Sequence, residues 1–314
     1  MVALDGGIQR VTFELPLGID HVHCYLLPAS EGGWNVVDTG LGLPNAAELW
    51  SQELAAVGGP VARVLVTHFH PDHVGAAADL AALTGAPTFQ GADDYDQCVR
   101  TWGELRDEGR MPEYLRVHGT PESEVESFAE EGRAFVRMVR FVRDPELLAA
   151  GDRVDGWEVL HLPGHADGHL AFLRDGILVG GDTLLRTITP NVGLYPDSRP
   201  DPLGDYLSSL ERIVELAPRI VLPGHHEPIA DPVGRARELI AHHAERLERT
   251  AAALDGEPGT AYDVSFALFP EPLSTTLRRF ALAETRAHIE YLVQRGAARR
   301  FDADDRVSYA APGV

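Results

Sequence analysis

Along the first forty residues, apolar and polar positions follow the two-residue period of a strand. Val11-Thr12-Phe13-Glu14-Leu15 alternates, and His23-Cys24-Tyr25-Leu26-Leu27 is a β-prone run. Gly32-Gly33 marks a turn before Trp34-Asn35-Val36-Val37-Asp38. The pattern then predicts a helix over 44–57, closed by Gly58-Gly59, and a buried strand over 61–66. A second helix over 73–83 stops at Gly85 and Pro87, a glycine cap followed by a breaker. Residues 93–150 are rich in charge, with a helical period in 122–142 set by Val125, Phe128, Phe135, Val136 and Val139. They read as two or three helices inserted over one face. Strands resume at 157–162, 170–173 and 177–180. A helix near 202–216 precedes the strand Ile220-Val221-Leu222, and a long helix follows over 233–254.

Residues 255–260 read as a linker, so the chain divides into 1–254 and a tail, 261–314. The tail holds two helical stretches. A short hairpin follows, Ala298-Arg299-Arg300-Phe301 against Val307-Ser308-Tyr309, turned at Asp304-Asp305. The order ββαβα, insert, βββαβα places the chain in the α/β class, with two β-layers flanked by helices. No solenoid repeat or low-complexity segment interrupts it.

A length of 314 residues is ample for a sizeable core. Charge changes the picture more. The formal net charge is −21, and all 27 basic residues are arginine. Such a surface repels phosphate backbones and anionic lipid, so neither nucleic acid nor a membrane is an expected partner. A small anionic substrate drawn by metal ions stays open. Cys24 and Cys98 make neither a ligand spacing nor a disulfide framework. Residues 1–10 lack an apolar signal region and no apolar run reaches ~18 residues, which makes the cytoplasm the expected compartment.

The chemistry concentrates in Val66-Thr67-His68-Phe69-His70-Pro71-Asp72-His73-Val74-Gly75, between a buried strand and a helix. Histidines at i and i+2 of an extended segment project to one side. Asp72 and His73 follow where the chain turns into the helix, so four ligands converge. Neutral imidazole and carboxylate suit Zn²⁺ and neighbouring first-row metals.

His68-Phe69-His70-Pro71-Asp72-His73 resembles the HxHxDH signature of the metallo-β-lactamase-fold hydrolases. The family's other motifs follow in order. Asp38-Thr39-Gly40 resembles its early aspartate motif. Leu162-Pro163-Gly164-His165 resembles its third, Gly180-Gly181-Asp182-Thr183 its bridging-aspartate motif, and Leu222-Pro223-Gly224-His225 its last. The resemblance implies a four-layer αββα fold. It implies one metal on His68, His70 and His165 and a second on Asp72, His73 and His225. Asp182 would bridge them, and Asp38 and His169 would support the ligands from behind. Two divalent ions, Zn²⁺ or else Mn²⁺ or Fe²⁺, would activate the water that attacks the substrate. Asp72 and Asp182 would be the catalytic carboxylates, with Asp72 steering protons.

Asp72, Asp182 and His225 together resemble the glyoxalase II-like group, as does a winged-helix-like ending. That resemblance implies an acyl-ester hydrolase acting on a small molecule, a thioester ahead of a lactone. Arg186 would hold an anionic tail and Tyr195 an oxyanion. Tyr95, Trp102, Tyr114, Phe128 and Phe135 of the insert would line an acyl pocket. Two other classes stay in view. One is a phosphodiesterase or ribonuclease. Against it, residues 261–314 carry seven arginines (278, 279, 286, 295, 299, 300, 306) and seven acids (263, 271, 284, 290, 302, 304, 305), not a basic face. The other is a non-enzymatic metal-binding scaffold whose tail dimerises; a homo-oligomer is compatible with either class. Five other histidines have bland expectations. His226 is expected not to ligate, His21 and His23 to be partly buried strand residues, and His242-His243 to lie on a solvated helix face.

Overall fold

The alternating N-terminal runs build the first of two sheets. The structure is a computed structural model and describes residues 1–16, 19–303 and 305–313. Strands β1 (Val2–Ala3), β2 (Gln9–Glu14), β3 (His21–Pro28) and β4 (Trp34–Val37) pair antiparallel in sequence order, and a 3-10 turn, Asp5–Gly7, joins the first two. β5 (Val61–Leu65), β6 (Thr88–Gly91) and β7 (Glu146–Leu148) extend the sheet in parallel. Parallel neighbours need crossovers. These are α1 (Ala46–Val57), then α2 (Pro71–Val74) with α3 (Ala77–Thr84), then α4 (Ala92–Thr101), α5 (Arg110–Val117) and α6 (Glu122–Val136).

In the second sheet β8 (Arg153–Val154), β9 (Trp157–His161), β10 (Leu170–Arg174) and β11 (Ile177–Gly181) are antiparallel. β12 (Ile220–Pro223) lies parallel to β11 after α7 (Pro202–Leu216). The chain ends in α8 (Pro232–Ala253), α9 (Ala261–Leu268), α10 (Thr275–Gln294) and the antiparallel hairpin β13 (Arg299–Asp302) and β14 (Val307–Ala310). Asp304 of the expected turn lies outside the described residues.

The strand period explains the layers. On β3, Tyr25 and Leu27 face the second sheet and meet Val159, Phe172 and Val179. Cys24 and Leu26 point the other way, to Trp50 of α1 and Leu80 of α3. The outer face of the second sheet, Leu160, Ala171, Leu178 and Val221, is covered by Leu203, Leu210 and Ile213 of α7 and Leu239 of α8. The result is the four-layer αββα arrangement. Each large side chain so buried stabilises the fold by ~1.5–3 kcal/mol.

Three expectations need correction. The helix expected over 73–83 is two. Gly75 lies so close to Gly42 and Met138 that a Cβ would collide, and its carbonyl accepts from Arg140 N–H at 2.7 Å. The insert does not simply cover one face. Its three helices end in β7, which lengthens the first sheet, while Leu115, Val125 and Phe128 share a core with Leu282, Ile289 and Tyr309 of the tail. Tyr114 and Phe128, offered as pocket lining, are therefore core residues. Finally, His243 is fully buried and not on a solvated face, because α10 covers α8. Its Nδ1 stands 3.1 Å from His288 Nε2.

Candidate metal centre

β5 ends at Leu65, the chain runs on extended through His68 and His70, and Pro71 opens α2, where its missing N–H costs nothing. The three loops that carry His165, Asp182 and His225 follow β9, β11 and β12 of the second sheet and bring their side chains to the same place. His68 Nε2 and His165 Nε2 stand 3.0 and 2.8 Å from His70 Nδ1. His225 Nε2 lies 3.2 Å from both Asp72 Oδ2 and Asp182 Oδ2. Asp182 also reaches His165 Nε2 at 3.7 Å and His73 Nε2 at 3.5 Å. Donor atoms of His68, His70 and His165 fall together, as do those of Asp72, His73 and His225, and those of His68, His73 and Asp182. All seven residues singled out as ligands are thus in one place.

Several donors are held from behind. Asp38 accepts from Thr67 N–H at 2.8 Å and from Thr67 Oγ1, and its Oδ2 meets His73 Nδ1 at 2.8 Å. His169 Nε2 accepts from Asp182 N–H at 3.1 Å, and its ring stacks on His68 at 4.7 Å. The backbone carbonyls of Asn191 and His21 accept from Nδ1 of His165 (2.8 Å) and His225 (2.6 Å). These bonds leave Nε2 of each of the three imidazoles free to face the centre.

The centre is electrostatically divided. Burial, reinforced by neighbouring imidazoles, pushes His68 well down and His70 to about 3. At the other end burial is outweighed. Asp182, Asp38 and Asp72 hold His73 well above the ordinary imidazole value, and Asp182 and Asp72 push His225 up to about 10. Burial opposes ionisation of the carboxylates as well, yet His73 and His225 hold Asp72 down to about 2 and Asp182 well below the usual range. The carboxylates call for positive charge, and a metal would displace the protons that supply it.

The residues fit such an ion. His73 Nε2 and Asp182 Oδ1 are buried and face each other at 3.5 Å, and among the described residues neither has a hydrogen-bond partner, a deficit that a cation would satisfy. A Cβ at position 224 would strike both Asp182 Oδ1 and His73, so only glycine keeps the space open.

The remaining expected residues make contacts of their own. Arg186 is exposed after β11 and makes no ion pair or hydrogen bond among the described residues. Tyr195 is half-buried and donates its hydroxyl to Asn191 Oδ1 at 3.3 Å. His226 belongs to none of the donor groups; its backbone has φ 64°, and its N–H donates to His21 Nε2 at 3.0 Å. His23 is buried, and its N–H donates to Gly224 O. Of the insert's aromatics, Trp102 bonds the loop that carries the ligands. Its indole donates to Phe69 O at 2.7 Å, while Tyr95 turns away to the Arg143 carbonyl.

Two stacked sheets between helical layers, with a histidine–aspartate centre at their edge, define a metallo-hydrolase of the β-lactamase type. Residues 17–225 match the metallo-beta-lactamase superfamily, and residues 247–311 match the metallo-beta-lactamase-like C-terminal domain. The chain belongs to the metallo-beta-lactamase superfamily, whose fold implies divalent metal binding. It is 28% identical to the probable metallo-hydrolase YqjP of Bacillus subtilis, over 91% of this chain and 92% of that one. A crystal structure of the metallo-beta-lactamase family protein TTHA1429 from Thermus thermophilus is 38% identical. It superposes with a TM-score of 0.85, over 98% of this chain and 99% of that one. A hydroxyacylglutathione hydrolase of Methylobacillus flagellatus is 27% identical over 63% of this chain and 62% of its own length. Among the described residues, no helix is long and apolar enough to cross a membrane.

Proposed function

We propose that this protein is a dinuclear-metal hydrolase that cleaves an acyl thioester. The donor set carries the reading: two three-residue groups share the reach of one carboxylate, Asp182, which lies 3.7 Å from His165 and 3.2 Å from His225. A pair of divalent cations, Zn²⁺ on donor chemistry with Mn²⁺ or Fe²⁺ as alternatives, supplies Lewis acidity that polarises a carbonyl and acidifies water.

The chain's own work is orientation and proton handling. Asp38 and the Asn191 and His21 carbonyls fix the tautomers of His73, His165 and His225. Asp72, at 16% side-chain exposure against 7% for Asp182, is the carboxylate that exchanges protons with solvent.

Two arguments favour a thioester. A thiolate, whose parent thiol has a pKa of ~8.5, departs without prior protonation, which suits a site whose groups other than imidazole are carboxylates. One relative is named for a glutathione thioester. The acidic chain, at −21, suits a small molecule better than nucleic acid.

The test is a panel of acyl-CoA, acyl-glutathione, homoserine lactone and bis-p-nitrophenyl phosphate, offered to metal-replete protein. Thioesters should turn over fastest, and His68→Ala with His70→Ala should abolish it. Phosphodiester turnover with every acyl substrate left intact would overturn the assignment.

A further inference from the structure

The Phe69 peptide joins two donors, His68 and His70, yet lies beyond the end of β5 and has no strand partner. Rotation of either peptide group flanking Phe69 would shift a neighbouring imidazole. Phe69 is half-buried, and both its backbone donor and its backbone acceptor are paired by side chains of α4 and its C-terminal end. Asp94 Oδ1 accepts from Phe69 N–H at 2.8 Å. Trp102, at the end of α4, donates its indole N–H to Phe69 C=O at 2.7 Å. Asp94 is fully buried, and its second oxygen accepts from Gln90 Nε2 at 2.6 Å.

The same face of α4 reaches the third loop. Gln97 Nε2 donates to Asp167 Oδ2 at 3.0 Å, two residues beyond His165. At 100° per residue, positions 94, 97 and 102 fall within an arc of roughly 140°. Gly168 sits so close to the Asp94 backbone that any side chain there would collide. The second donor group draws its support elsewhere, His73 from Asp38 and His225 from the His21 carbonyl.

We infer that Asp94 and Trp102, assisted by Gln97, are positioning residues that clamp the two peptide groups of Phe69, between His68 and His70. Through them α4 sets the affinity of one of the two metal positions independently of the other. This deepens the dinuclear reading and rests on it. One bond holds the peptide group before Phe69 and the other the peptide group after it, so the spacing of the two imidazoles is set before a metal arrives. Supporting contacts of this kind are worth ~10–100-fold in metal affinity.

The test is titration of full-length, chelator-stripped protein with Co²⁺, followed by visible absorption, and with Zn²⁺, followed by calorimetry. Wild type should take up two equivalents. Trp102→Phe and Asp94→Ala should each bind one equivalent ~10–100-fold more weakly, with an altered Co²⁺ spectrum for that ion only. The unchanged second equivalent reports that the variants are folded. Asp94→Asn should recover most of the loss. It keeps an oxygen for Phe69 N–H, and Gln90 can turn its amide to accept from the new donor. If Asp94→Ala does not fold, Trp102→Phe and Asp94→Asn form the test by themselves. Variants that match wild type, or that weaken both ions equally, overturn the inference alone. A wild type that binds fewer than two ions overturns the dinuclear reading, and this inference with it.

Discussion

Asp38 shows how much one residue can be asked to do. Its φ of 62° lies in the left-handed region, at a cost of roughly 1–2 kcal/mol for a residue with a side chain. The bend points one carboxylate at three donors, Thr67 N, Thr67 Oγ1 and His73 Nδ1. Asp38→Asn turns one acceptor into a donor facing donors. It should lower stability by ~1–3 kcal/mol and metal affinity by ~10–100-fold. A urea midpoint and a zinc titration read these, and a variant unchanged in both would contradict this role. Such a residue was legible in advance because the Asp38-Thr39-Gly40 motif announces it. So were the seven donors, four of them within six residues. Asn191 was not legible: it acts through a backbone oxygen, which no residue type encodes. Asp94 and Trp102 stand 25 and 33 positions from Phe69 with no local pattern to connect them.

Among the helices, α7 and α8 were readable almost to the residue. Each begins with Asp-Pro, and the aspartate caps a backbone N–H, Asp201 at Gly204 and Asp231 at Gly234. What covers α8 could not be read from α8. His242-His243 look alike in sequence, yet α10 buries only His243 completely. His288 donates Nδ1–H to the Glu284 carbonyl at 2.8 Å, so its Nε2 must accept from His243 Nδ1. Both imidazoles are neutral. Burial is the main cause, and it pushes His243 to about 3 and His288 to about 4. In the unfolded chain they take up protons below ~6.5. This pair's contribution is therefore whole at neutral pH and is lost as pH falls from ~6.5 towards 4, by up to ~1.4 kcal/mol per unit for each group. Denaturant midpoints of the apo protein from pH 7 to 4.5 should fall more steeply in wild type than in a His243→Leu, His288→Leu double variant. Equal slopes would contradict the neutral pair. The donor imidazoles, common to both proteins, cancel in that comparison.

At the scale of the molecule, the alternating runs foretold two β-layers and their helices, because period and layer are the same fact in an amphipathic strand. The union of insert and tail was hidden, since it depends on contacts such as Phe128 with Leu282 and Tyr309 across more than a hundred residues. Tyr114 and Arg286 both bond the Leu194 carbonyl, and Leu194 N–H bonds Ala283 O at 3.0 Å, so that joint body grips the loop carrying Asn191. Metal binding should accordingly stabilise the whole chain. Zinc at a hundred times its dissociation constant adds ~2.7 kcal/mol per site, read as a rise in melting temperature that a chelator reverses. Seven side chains from four loops are expected to enclose two cations. Anomalous diffraction from metal-replete crystals tests this most directly. Two peaks should appear ~3.5–4 Å apart, one among His68, His70 and His165 and the other among Asp72, His73 and His225, with Asp182 between them. An empty centre, or His165, Asp182 and His225 found far from His68, would contradict it.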